Sequence, residues 1–216
     1  MAIFKNWFID FEPFKNQKFV DSEMGKIPEG WEVDYITNLI ILDPPERINK
    51  GELYPYVEMK NVDVNYMTCE YSYKEFSGSG SKFKFGDTLF ARITPCLENG
   101  KTAFVWFLNE NEVGFGSTEF IVMRGKYDFL REFVYLFARW EDFREHAINS
   151  MGGTSGRQRV EKSALENFKL AIPPIPIFHK FHSLVEPLFH KIILNQKQIM
   201  LLRKIRDTLL PLLVFG

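Results

Sequence analysis

The longest regular pattern of apolar positions lies in the last stretch of the chain, from Pro173 to Gly216. Phe178, Phe181, Val185, Leu188, Ile192, Asn195, Ile199 and Leu202 follow one another at alternating steps of three and four. Ile205 and Arg206 share the next step, and Leu209 resumes the series. This repeat predicts a helix whose narrow apolar seam faces another helix. Lys191, Lys197, Lys204 and Asp207 fall on the opposite, solvated face. The one polar seam position, Asn195, suits a buried amide that fixes register and partner number at a cost in stability. Pro187 interrupts the pattern, so the expectation is a short helix to about Glu186 followed by a long one, or a kink. An amphipathic helix packed on its own domain is the alternative.

Elsewhere the period changes twice. Near the start, Ile3, Phe4, Trp7 and Phe8 share one helical face, with Phe11 a turn further on. A helix so short is marginal alone and looks like the end of something longer. A polar connector, residues 12–25, leads to Trp31. From Val33 to Met123 apolar residues alternate in short runs between Gly, Pro and Ser punctuation, which predicts strands and turns. Residues 43–55 form a loop by composition, and Ser77–Ser81 a flexible tip. From Asp128 to Asn149 steps of three and four return at Phe129, Phe133, Leu136, Phe137, Trp140, Phe143 and Ala147, predicting one amphipathic helix of about five turns. Ser163 with Glu166 reads as a capping box, and Leu170 and Ile172 as a last strand. Strand-rich and helical stretches together give an α+β class: a mixed α/β domain carrying a long C-terminal helix of coiled-coil type.

Composition narrows the function classes. The formal net charge of −1 supplies no global basic field, so nucleic-acid binding would need a local patch. Cys69 and Cys96, both in strand-like sequence, make no disulfide framework; this predicts a reducing, cytoplasmic setting. No apolar run is long enough for a membrane span. His146, His179, His182 and His190 have no acidic or cysteine partners at metal-ligand spacing, so neither metal nor cofactor is expected. Nucleophile elbow, phosphate loop and dinucleotide fingerprint are all missing.

Three loops carry chemistry suited to an anion. In the first, Gly152, Gly153 and Gly156 let backbone approach a phosphate, with Thr154 and Ser155 between them; Arg157, Gln158, Arg159 and Lys162 follow. Arg suits guanine and Gln suits adenine, so these side chains can also read base edges. The second runs from residue 86 to 104, with Arg92, Thr94 and Lys101 around a turn containing Pro95 and Gly100. The third, residues 43–55, carries Arg47 and Lys50. A solvated connector, a plain hairpin and an ordinary surface loop are the structural alternatives.

Six stretches in order carry a resemblance across most of the chain: KIPEGWEV at 26–33, GDTLFARITPCLENGK at 86–101, GSTEFIVMR at 116–124, GGTSGRQRV at 152–160, LAIPPIP at 170–176 and LLRKIRDTLLPLL at 201–213. Together they resemble the specificity subunits of type I restriction–modification systems. The resemblance implies a DNA target-recognition domain and a spacer helix, with no catalytic site. It implies double-stranded DNA, DNA methyltransferase (modification) subunits and, in larger complexes, a restriction subunit as partners. The family's usual chain has two recognition domains whose helices pair antiparallel. This sequence has one of each, and its start looks like the tail of a preceding helix, so it is expected to be a C-terminal half or a half-length subunit.

The expected organisation is a helix tail and connector at 1–25, a recognition domain at 26–172 and a dimerisation or spacer helix at 173–216. DNA contacts are expected from Gly153, Thr154, Ser155, Arg157, Gln158, Arg159, Lys162, Arg92, Thr94, Lys101, Arg47 and Lys50. Phe178, Phe181, Val185, Leu188, Ile192, Asn195, Ile199, Leu202 and Leu209 are expected to bind a second copy or another half-subunit, with Phe4, Trp7 and Phe8 covering the ends of the pair. An oligomerising protein-binding scaffold, or a detached recognition domain of a single-chain restriction–methylation enzyme, would share some of these features.

Overall fold

A computed structural model describes residues 1–154 and 157–215, with side chains described as far as residue 210. Fourteen short strands and five α-helices are formed among the described residues. The chain opens with α1 (Ala2–Phe8), then β1 (Phe19–Ser22), β2 (Gly25–Pro28), β3 (Glu32–Tyr35) and β4 (Ile40–Leu42). The central part holds β5 (Leu53–Val57), β6 (Ser72–Glu75), β7 (Ser81–Phe83), β8 (Thr88–Ala91), β9 (Thr102–Phe104), β10 (Gly114–Gly116) and β11 (Phe120–Gly125). There follow α2 (Arg131–Ala138), α3 (Glu141–Asn149), β12 (Met151–Gly152), β13 (Arg159–Val160), α4 (Lys162–Glu166), β14 (Lys169–Ile172) and α5 (Ile175–Phe215).

Two four-stranded sheets organise the domain, one in the order β4-β11-β8-β9 and the other β6-β5-β10-β7. The first is antiparallel throughout, and the second contains one parallel pair, β5 with β10. The strands of the first sheet read as unbroken apolar runs because both of its faces are covered. Phe90, Ile121, Met123 and Phe104 turn towards the helices, while Leu89, Val122 and Ala103 turn towards Val57 and Phe83 of the second sheet. Trp106 donates its indole N–H to the Cys69 carbonyl at 3.1 Å, so its polar end is satisfied inside the core. Gly116 is required by close approach: a Cβ there would meet the Val57 carbonyl oxygen at 2.7 Å.

Helix α2 lies against β8, β9 and β11 and is buried over nearly its whole length. The helix expected over 128–149 is broken at Arg139 and Trp140. Trp140 adopts an extended backbone at the start of α3, and its ring packs near Phe4, Phe137 and Phe168. Burying that ring in the core sets the break, and the apolar period runs through it unchanged. Helix α4 begins after Glu161 with no side-chain cap, so Ser163 lies inside the helix instead of capping it. Neither Cys69 nor Cys96 lies in a strand. Strand β5 starts inside the stretch read as loop and ends at Val57, and a short 3-10 turn over Met59–Asn61 follows it.

Helix α5 is continuous from Ile175 to Phe215, so the two separate helices expected on either side of Pro187 are one. Its first turns belong to the domain core. Phe178, Phe181, Val185 and Phe189 are buried, and α1 wedges in beside them. Phe8 stacks on Phe178 at 5.7 Å and meets Phe181 edge-on at 4.8 Å, while Phe4 lies 5.5 Å from Phe133 of α2. Phe178, Phe181 and Val185 therefore pack inside this chain and are not available to a partner. Phe4 and Phe8 likewise fill the core between α2 and α5 and do not cover the ends of a helix pair. From Leu188 onwards the seam is open: Leu188, Ile192, Ile199, Leu202 and Leu209 are exposed, and Asn195 is exposed among them. Arg203 reaches Glu70 of the domain at 2.9 Å, so the exposed part of α5 still runs beside the domain surface. At its root, His182 Nδ1 lies 2.7 Å from Oε2 of Glu132, a carboxyl buried on α2. Burial pushes the Glu132 carboxyl up, with the His182 contact acting against it.

Candidate nucleic-acid interface

Backbone pairing brings the first two predicted loops together. Ile93 forms an isolated bridge with Arg159, Arg92 accepts a hydrogen bond from the Val160 N–H at 2.9 Å, and the Thr94 N–H donates to the Gln158 carbonyl at 3.1 Å. Segments that lie more than sixty residues apart thus form one short antiparallel ladder. Thr94 also directs its hydroxyl at the Gln158 carbonyl, 3.4 Å away. Thr94 thereby joins the loops and is engaged on the protein itself.

The third loop closes the side of this arrangement. Asp43–Glu46, Gly80–Lys82, Arg92, Thr118, Phe120 and Val122 line one open concavity of about 420 Å³. The loop is held there by ionic contacts. Asp43 accepts from the Val122 N–H at 2.9 Å, and Glu46 accepts from Arg124 at 2.6 Å and Lys84 at 2.9 Å. Arg124 also forms a two-pronged pair with buried Asp87, both contacts 2.7 Å. Burial works to raise the Glu46 carboxyl, but hydrogen bonds from Arg124 and Lys84 outweigh it and hold the group below its usual range. Burial also opposes the Arg124 charge, yet Asp87 and Glu46 keep its pKa above the ordinary guanidinium value. Arg47 and Lys50, next along this loop, are exposed.

The predicted basic residues divide by what they touch. Arg159 donates through Nε and Nη2 to both oxygens of Glu119, at 2.8 and 2.5 Å. That fork holds the Glu119 carboxyl below the usual carboxylate range. Lys101 donates to the Met59 carbonyl at 2.8 Å, and Lys162 lies 3.7 Å from Glu166 along α4. Arg92 reaches Glu161 at 3.2 Å. Arg157 is exposed, with its backbone N–H on the Thr154 carbonyl at 3.1 Å, and Gln158 is half-buried. Gly153 has φ +116°, a conformation that suits glycine, and Thr154 is exposed. Ser155 lies outside the described residues. Sequence reasoning missed Glu119, Glu161 and Glu46, because the arginines they meet lie far away in the chain. Glu119 does fall inside the GSTEFIVMR stretch, where an acid flanked by buried β positions is a signal.

Among the described residues no group of three or more His, Cys, Asp or Glu side chains is placed to hold a metal ion. No helix there is long and apolar enough to cross a membrane. What the arrangement offers is a small cleft of fixed backbone, two arginines partly masked by carboxylates, and further exposed cations on two loops.

Comparison with known proteins places the chain in a family. Residues 28–203 match the model of the type I restriction modification DNA specificity domain, and the chain belongs to that family. It is 36% identical to the type I restriction enzyme MjaIX specificity subunit of Methanocaldococcus jannaschii, over 100% of this chain and 51% of that protein. It is 28% identical to the EcoAI specificity subunit of Escherichia coli, over 69% of this chain and 26% of the relative. The chain thus spans about half, or less, of the length of the curated relatives it matches. The fold is similar to the crystal structure of the HsdS subunit from Thermoanaerobacter tengcongensis, with a TM-score of 0.61 at 20% identity, covering 88% of this chain and 50% of that one. A structure described as showing complex assembly and conformational transition of the type I R-M system matches with a TM-score of 0.59 at 21% identity, over 85% and 48% of the two chains.

Proposed function

We propose that this chain reads one part of a double-stranded DNA target for a type I restriction–modification complex and performs no chemistry of its own. Residues 26–172 act as the recognition domain, and residues 173–216 as the arm. The observation that supports this is the backbone ladder tying Arg92–Thr94 to Gln158–Val160, with Arg92 lining a cleft beside Asp43–Glu46 of the third loop. Arg157, Gln158, Arg47 and Lys50 are assigned to DNA in this reading because Arg157, Arg47 and Lys50 are exposed and Gln158 is half-buried beside them in the same loop as Arg157. Thr94, Lys101 and Arg159, each bound to a protein group, hold the loops in shape, while Lys162 makes only a loose, exposed pair with Glu166 along α4 and stays available to DNA in this reading. Modification subunits add phosphate contacts that a near-neutral chain lacks, and a restriction subunit joins in larger assemblies. A cytoplasmic setting goes with this role.

The arm gives the second part of the proposal. Leu188, Ile192, Ile199, Leu202 and Leu209 form an exposed apolar stripe on one helix, which favours a helical partner. A second copy, paired antiparallel about a two-fold axis, would place two identical domains at opposite ends and read an interrupted palindrome. Another half-subunit is the alternative partner.

Selection of bound duplexes from random sequence, by the chain assembled with modification subunits, tests the DNA reading. Arg157→Ala is then expected to act in one of two ways: the salt slope falls by about one unit for a lost phosphate, or binding falls by about 1–3 kcal/mol at a single base position. Recovery of no preferred sequence, with Arg157→Ala leaving affinity and salt slope unchanged, would overturn it.

A further inference from the structure

Two carboxylates bind Arg92 of the cleft and its neighbour Arg159, and they are held very differently. Glu119 is the more enclosed, its side chain 23% exposed, and it takes both prongs of Arg159. Its backbone carbonyl also accepts the Arg92 N–H at 3.0 Å. One residue therefore fixes the position of both arginines. Glu161 is the opposite case. Its side chain is 71% exposed and reaches only Nη2 of Arg92, at 3.2 Å. It precedes α4 in extended conformation and makes no side-chain cap bond there. Between them, Arg92 Nε is buried and has no hydrogen-bond partner among the described residues. A buried donor without an acceptor is costly, and a guanidinium offers Nε and Nη2 side by side as a planar fork. That fork fits a pair of acceptors, offered either by a phosphate or by the O6/N7 edge of guanine.

We propose that Glu161 is a removable cover on Arg92, displaced when DNA enters the cleft, and that Glu119, whose backbone carbonyl accepts the Arg92 N–H, keeps Arg92 at the cleft. The inference rests on the DNA reading above and adds a control to it. An exposed single-contact pair is weak enough to yield to a charged, bidentate acceptor. The bidentate Glu119 pair is not. Covering Arg92 with a carboxylate also penalises loose encounters with any phosphate, because each must first displace Glu161. Only a duplex seated well enough to satisfy Nε as well as Nη2 gains the full exchange. Glu161 thereby trades affinity for discrimination.

The test uses the full chain with its modification subunits, on the selected duplex and on an unrelated duplex of equal length, across a range of salt. Glu161→Gln is expected to tighten binding about two- to fivefold, the range set by surface ion pairs, and more for the unrelated duplex than for the selected one. In an Arg92→Ala background the same substitution is expected to change nothing. That control separates the local cover from the general loss of one negative charge, which would persist without Arg92. No gain in the native background, or an equal gain in both backgrounds, overturns the proposal. Arg92→Ala alone then sorts the source of the acceptor: a lower salt slope at every sequence means phosphate, and a loss at one base position means guanine. If Arg92→Ala lowers affinity while Glu161→Gln does not raise it, the cover fails and the DNA reading stands. If Arg92→Ala leaves affinity and slope unaltered, the cover falls, and the DNA reading is judged on Arg157→Ala and the selected sequence.

Discussion

Replacing Phe181 and Leu202 by alanine, one at a time, separates the two halves of α5. They lie on the same apolar seam, twenty-one residues apart, and the sequence gives them the same role. The structure gives them different ones: Phe181 is 1% exposed and Leu202 is 64% exposed. Phe181 packs edge-on against Phe8 at 4.8 Å and Trp7 at 5.5 Å. Its truncation removes a buried ring and leaves a cavity between α1 and α5, at a cost of about 3–5 kcal/mol. With a urea slope of about 2–3 kcal/mol per molar, the unfolding midpoint should fall by about 1–2 M. Trp7 makes the transition visible by fluorescence. Leu202→Ala should cost no more than about 0.5 kcal/mol, as exposed substitutions do, and so move the same midpoint by about 0.2 M at most, when measured at dilution where the chain is dissociated. In association the order reverses. A leucine buried in an interface contributes about 1.5–3 kcal/mol, and a two-fold axis counts it twice, so the dimer Kd should rise roughly 10²- to 10⁴-fold. Sedimentation across a concentration series reads that change. If Leu202→Ala lowered the dilute midpoint as much as Phe181→Ala, the exposed seam would be a domain face and the arm argument would fail. A dissociated chain at every concentration, unchanged by modification subunits, would remove the homodimer.

Two further outcomes follow from the titrating groups. Burial pushes the Cys69 thiol up to about 12, so Cys69 should resist thiol reagents at pH 8 until the chain unfolds, while half-buried Cys96 reacts in the folded protein; mass spectrometry after brief labelling distinguishes them. Arg159 lowers the Glu119 carboxyl, so the stabilisation from this pair is complete above the ordinary glutamate pKa and is lost as pH falls through the lowered folded value. Arg159→Ala should return the Glu119 carboxyl towards its ordinary titration in a carbon-13 pH series and flatten the acid limb of the stability curve; an unaltered titration would show that the fork does not hold the group.

The sequence alone was enough for the seam of α5, the strand-rich middle and the basic loops. Each is written in local spacing: steps of three and four, short alternating runs, glycines beside arginines. The family resemblance was legible for the same reason, as short stretches in a fixed order. Three features depended on residues far apart in the chain. The helix over 128–149 broke at Trp140 because the ring has a core site beside Phe4 and Phe168, and the apolar period is the same on both sides of the break. Arg159 looked like a free reader, but its fork is held by Glu119, forty residues earlier. The seam of α5 was legible as a stripe, but periodicity does not say which neighbour covers it. Phe178, Phe181 and Val185 are covered because α1 and α2 supply matching rings at the root, and from Leu188 onwards that cover ends. One hint was present in the sequence, since the seam changes from phenylalanine-rich to leucine- and isoleucine-rich at Pro187. Local spacing fixes which face of an element is apolar; only the tertiary arrangement of distant segments decides what that face meets.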